Sequence, residues 1–64
     1  MKTLNFEGRN VIAIEHADFN NFSPVEIKID LLLVPKDRML GFRETEVFKS
    51  LWNSITDNTR IIYC

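Results

Sequence analysis

At 64 residues, 45% hydrophobic and 27% charged, the chain has room for one domain and is too apolar for a disordered segment. A net charge of −1, from 8 basic and 9 acidic residues, argues against a dedicated nucleic-acid binder and gives no sign of a strongly acidic mimic. The single cysteine, Cys64, excludes a domain stapled by an internal disulfide.

The chain opens with Lys2-Thr3-Leu4-Asn5-Phe6-Glu7, which alternates and puts Leu4 and Phe6 on one face of a short strand. Gly8-Arg9-Asn10 reads as a turn, because Gly and Asn tolerate positive φ. Residues 11–16, Val-Ile-Ala-Ile-Glu-His, are rich in β-branched side chains and predict a second strand, so the two form an N-terminal hairpin. Residues 17–24 are a loop by their Asp, Asn, Ser and Pro content. Phe19 and Phe22 in that loop are expected to fold back and cap one end of the core, the alternative being an exposed docking loop.

Two signals compete over residues 25–34. Ser23-Pro24-Val25-Glu26 is a capping-box pattern with Pro at the first helical position. Against it, Val25, Ile27, Ile29, Leu31 and Leu33 alternate with Glu26, Lys28 and Asp30, and Val and Ile prefer pleated structure. The period-two reading is the better supported. It makes 25–34 a central strand, apolar on both faces from Leu32 onward, with a second protomer as one candidate cover for the outer face. Pro35 ends it, and Pro35 to Phe42 is a connection with one helical turn starting near Asp37.

Residues 43–56 carry the only strong helical period. Val47, Phe48, Leu51, Trp52 and Ile55 fall within about 140° of one another on a helical wheel. Asp57-Asn58-Thr59 is its exit turn, and residues 60–63 are a last short strand. The expected fold is therefore one small α+β domain over 1–64, a three- to four-stranded, mainly antiparallel sheet in the order β-β-β-α-β with the amphipathic helix on one face. The expected core is Leu4, Phe6, Ile12, Ile14, Ile27, Ile29, Leu31, Val47, Phe48, Leu51, Trp52 and Ile61.

Chemistry-bearing residues are sparse. His16, the only histidine, has Glu15 and Asp18 nearby, which falls short of a metal-ligand set. Cys64 is the last residue, where fraying is expected, and lacks a sequence neighbour able to act as its base. Gly8 and Gly41 are the only glycines and form no phosphate-binding loop. The expectation is a non-enzymatic chain with no cofactor and no metal.

Two readings of function follow. Arg38, Met39, Phe42 and Arg43 cluster around one connection, and Trp52 lies at the edge of the helical stripe. Arg, Met, Phe and Trp are enriched at interface cores and hot spots, so these five residues predict a docking surface for a larger protein. The plainer reading of the connection is a solvated loop whose apolar residues tuck under the helix. Trp52 is at the same time readable as a core residue. A small inhibitor of the kind common in phages and mobile elements, or a small complex subunit, fits this size and type. Self-association as a dimer is a natural companion, because a 64-residue chain buries only about 60% of its unfolded surface. The alternative is binding of nucleic acid or a nucleotide through Lys36, Arg38 and Arg43. The N-terminal residues lack a signal-peptide core, and the longest apolar run, Leu31 to Pro35, is far below the ~20 residues of a membrane helix. The expected location is a reducing cytoplasm, where the Asn21-Phe22-Ser23 sequon is idle.

Overall fold

The computed structural model describes residues 1–21 and 25–64. The sequon, the capping box and Phe22 all fall on residues 22–24 in whole or in part, and those readings lie outside the described residues.

A hairpin starts the fold. Strands β1 (Lys2–Phe6) and β2 (Arg9–Ala13) pair antiparallel, with Phe6 opposite Arg9. The turn between them is the two-residue loop Glu7-Gly8, with φ values of 52° and 78°. Two successive positive φ angles match the right-handed twist of the flanking strands, which is why such turns close hairpins. The expected turn at Gly8-Arg9-Asn10 is displaced by one to two residues, and Arg9 and Asn10 already belong to β2.

The remaining strands depart from the expected topology. Strand β3 (Ile29–Val34) pairs parallel to β2, and β4 (Ile55–Tyr63) pairs parallel to β3, in the order β1-β2-β3-β4. The sheet is mixed, not mainly antiparallel. Both connections, residues 14–28 and 35–54, have the dozen or more residues that a parallel crossover needs. A 3-10 turn over His16–Phe19 lies in the first crossover. The second holds 3-10 turns at Lys36–Arg38, Phe42–Glu44 and Trp52–Ser54, and between the last two a five-residue α-helix, α1 (Glu46–Ser50).

The helix is thus much shorter than the predicted 43–56. Thr45 sets its start, since its hydroxyl donates to the Phe42 carbonyl at 2.6 Å and accepts from the Phe48 N–H at 3.3 Å. One side chain closes the preceding turn and caps the next. At the other end the Leu51 N–H is shared between the Val47 and Phe48 carbonyls, and the chain tightens into a 3-10 turn. Strand β4 begins directly afterwards. Its ladder slips, because Ile29 pairs with Ile55 but Leu31 pairs with Arg60. The predicted exit turn Asp57-Asn58-Thr59 sits within that slip, held by the Thr59 hydroxyl, which accepts from the Thr56 N–H and donates to the Ile29 carbonyl. Residues 25–28 lie outside β3, and the Ser54 hydroxyl ties that segment down through the Val25 carbonyl.

Register decides which side chains meet. Ile12, Leu32 and Ile61 share one row on the covered face, and Val34 and Tyr63 continue it beside Ile14. The core comprises Ile12, Ile14, Ile29, Leu32, Val34, Phe42, Val47, Phe48 and Leu51, with Phe19, Val25, Ile27, Ile55, Ile61 and Tyr63 packed at its margin. Phe42 is 1% exposed and touches three other rings edge-on: Phe48 at 5.3 Å, Tyr63 at 6.2 Å and Phe19 at 6.3 Å between centroids. The expected cap by Phe19 is therefore present. Leu4, Phe6 and Trp52, expected in the core, are exposed, and Leu31 is half-buried. Phe42, Leu32 and Val34 take their place. On the opposite face lie two further rows, Leu4–Val11–Leu31–Arg60 and Lys2–Ala13–Leu33–Ile62, which no element of the described chain covers.

Asp18 is the one buried carboxylate among the described residues. Its Oδ1 accepts from the Met1 ammonium at 2.8 Å and its Oδ2 from the Glu15 N–H at 2.7 Å. Burial pushes its pKa up. The hydrogen bonds from the ammonium and from Glu15, with the ammonium's charge, outweigh this and leave the pKa below its ordinary value. The contact ties the start of β1 to the turn after β2.

Two predictions follow from the packing. Phe42→Ala should cost about 3–5 kcal/mol, comparable to the whole stability of so small a domain, with a smaller loss for Phe42→Leu; urea unfolding reads both. A depressed folded pKa means that the stability Asp18 contributes is full above its unfolded pKa and is lost as pH falls through the lowered value. Asp18→Asn should therefore be less stable at neutral pH and show a flatter acid limb, measured as unfolding midpoints from neutral to acidic pH.

Candidate functional site

The five residues expected to form a docking surface divide in the structure. Phe42 is the centre of the core and cannot anchor a partner. Its apolar neighbours in sequence are the ones that face outward. Met39 is exposed, and Leu40 is 92% exposed at the tip of the turn before Gly41. Gly41 has φ 72°, a left-handed angle that turns the chain sharply inward to Phe42. The reversal puts consecutive apolar residues on opposite sides of the surface.

Arg38 and Arg43 each lie over an aromatic ring. The Arg38 guanidinium carbon is 4.8 Å from the Phe19 centroid, and that of Arg43 is 5.6 Å from the Phe48 centroid. Both are within cation–π range. Since Phe19 and Phe48 both abut Phe42, the two arginines roof the aromatic cluster over different members.

Trp52 is 62% exposed and stands edge-on to Phe48 at 5.8 Å. Its outward position has a local cause. An α-helix advances about 100° per residue and a 3-10 helix about 120°, so tightening after Leu51 swings Trp52 about 20° further from the core direction. Arg43, Phe48, Lys49 and Trp52 line a shallow cleft of about 410 Å³. Two aromatic rings and two cations make up its lining. Arg43 and Trp52 of the expected surface meet here, and Lys49 is the member that sequence reasoning missed. Its position is three residues before Trp52, a helical neighbour, and that spacing was the available signal.

A second depression lies at the carboxyl ends of β2 and β3, lined by Ile14, His16, Leu33, Val34, Pro35 and Cys64 among others, with a volume of about 570 Å³. The His16 Nε2 contacts both Asp37 oxygens, at 2.8 and 3.0 Å. Sequence reasoning treated His16 with Glu15 and Asp18. Its partner is instead Asp37, from the other crossover. Nucleophilic chemistry would need the thiol bonded to the imidazole, and among the described residues no hydrogen bond joins Cys64 to His16. The described residues hold no group of three or more His, Cys, Asp or Glu arranged for a metal ion. No helix of the described chain is long and apolar enough to cross a membrane.

Comparison with known protein families, with curated proteins and with solved structures gave no match.

Because the indole is more than half exposed, Trp52→Ala should leave the fold intact. Its cost should stay below about 1.5 kcal/mol, against several for Phe42→Ala, in the same unfolding experiment.

Proposed function

We propose that this chain is a non-enzymatic protein-binding module that acts by occupying a surface on a larger protein. The observation that supports this reading is the Trp52 cleft. An indole more than half exposed, braced edge-on by Phe48 and flanked by Arg43 and Lys49, is a rigid apolar anchor with charge at its rim. Trp and Arg dominate binding energy at such sites, because a pre-positioned ring loses little freedom on docking and its apolar area is then removed from water. Met39 and Leu40 add apolar area at a loop tip, and Arg38 is held beside it. A small inhibitor or a small subunit of a larger complex is the form such an activity takes in a chain of this size. A lone cysteine suits a reducing, cytoplasmic setting. Asp37 and Glu44 dilute the positive field of Lys36, Arg38 and Arg43, which favours protein docking over nucleic acid there.

The test is affinity capture with the tagged chain from its native lysate, followed by calorimetry on the captured partner. Trp52→Ala should weaken that partner's binding at least tenfold, about 1.4 kcal/mol or more, while its melting temperature stays close to that of the parent. Binding should respond little to salt. A partner retained at full affinity by Trp52→Ala sinks the assignment, and steep salt dependence with loss in Arg38→Ala/Arg43→Ala points to phosphate recognition.

A further inference from the structure

We propose that the uncovered face of the sheet is a second docking surface, and that its occupant is an acidic amphipathic helix of a protein partner. The face is apolar in its middle. Leu4, Val11 and Leu31 form one row, and Ala13, Leu33 and Ile62 fill most of the next. Phe6, 66% exposed, extends the face at the hairpin end. Val11 is buried yet takes no part in the core cluster, because its neighbours on this face shield it.

Cations outnumber acids at this face, three to one carboxylate, Asp30. Arg60 closes the first row, Lys2 opens the second, and Arg9 stands opposite Phe6. Among the described residues none of the three makes an ion pair. Asp30 keeps its charge, but its Oδ2 is held by the Asn10 N–H at 2.7 Å and it forms no ion pair with either guanidinium. Phe6, Arg9, Val11, Leu31 and Arg60 line a cleft of about 240 Å³ together with Asp30 and Asn58, so two guanidinium-bearing residues stand there against one carboxylate. A carboxylate entering there would find donors that no acid of this chain uses.

Dimensions and chemistry select the occupant. Four strands at about 4.8 Å span roughly 14 Å, and rows two residues apart lie about 7 Å from one another. That area seats one α-helix, about 10 Å across, with an apolar stripe on the two rows and acidic flanks toward Lys2, Arg9 and Arg60. A second copy of the chain is the weaker occupant. Two such faces meeting about a two-fold axis would bring both sets of free cations together. Single-stranded nucleic acid is weaker too, because successive bases stack on several aromatic rings and among the described residues this face offers only Phe6.

The experiment titrates the intact chain, by calorimetry, with a synthetic helical peptide carrying leucines at positions i, i+3, i+4 and i+7 between glutamates. A matched peptide with lysine in place of glutamate, and a thymidine oligodeoxynucleotide, are titrated in parallel. Light scattering follows the chain alone. The glutamate peptide should bind, and the lysine peptide should bind at least ~10-fold more weakly. Arg9→Glu/Arg60→Glu and Leu4→Ser should each weaken the glutamate peptide ~10-fold without moving the melting temperature, since all three side chains are exposed. Trp52→Ala, on the other face, should leave that affinity unchanged, which separates this site from the Trp52 cleft. Equal affinity for both peptides, binding of neither, preference for the oligonucleotide, or a stable dimer that Leu4→Ser disperses would each overturn the proposal.

Discussion

The edge-on packing of Phe42 against Phe19, Phe48 and Tyr63 is the contact on which the rest of the architecture depends. These rings come from the first crossover, the short helix and the last strand, three segments with no backbone ladder among them beyond the sheet itself. That common ring joins the two crossovers to each other and to the last strand, beside the buried Val47, Phe48 and Leu51 on the covered face. Edge-to-face aromatic pairs contribute about 0.5–1.5 kcal/mol each beyond their area. Three of them on one side chain concentrate in a single residue what larger domains distribute over a layer. Gly41 and Thr45 serve that ring. The left-handed glycine delivers the chain to it, and the threonine hydroxyl closes the turn that carries it.

The same constraint accounts for the short helix. With Phe42 buried, the chain must rise from the sheet, place Val47, Phe48 and Leu51 over it, and return to start β4 at Ile55. One α turn flanked by 3-10 turns does this. A longer helix would carry Ile55 away from its pairing with Ile29. Exposure of Trp52 is a by-product of the tightening, and it yields the most prominent aromatic feature on that side of the molecule.

How much of this was legible beforehand differs by element. The hairpin was, because alternation and a glycine after Glu7 act locally. So were Val47, Phe48 and Leu51, whose helical period survives in a helix of any length. Parallel pairing of β3 and β4 was not inferred, although two signals stood in the chain. The run Leu31-Leu32-Leu33-Val34 is continuous in the manner of a strand covered on both faces, and both connections are too long for hairpins. Burial of Phe42 was open as one reading of its connection, but which of Met39, Leu40 and Phe42 turns inward depends on one φ angle at Gly41, and a glycine admits either sign. The inward side of β1 was misread for a different reason. Leu4 and Phe6 alternate correctly, yet they point to the face the helix does not cover. Of the candidate site, Arg43 and Trp52 were each legible as exposed candidates, but not as neighbours, because nine residues apart on a continuous helix they would lie about 180° from one another. Separation of Met39 and Phe42 by a chain reversal was not.

Strand β1 is exposed along its whole length and is held by one ladder to β2 and by the Met1–Asp18 contact. It is the least anchored element of the sheet, and local opening draws on such elements first. Yet β1 supplies Leu4, Phe6 and Lys2 to the uncovered face, whereas Leu31, Leu33 and Arg60 come from the strands that stay. A ligand bridging both groups would bind only the closed form, so its binding energy would also hold the hairpin shut. Occupancy of that face and hydrogen-exchange protection of β1 are then two measures of one equilibrium.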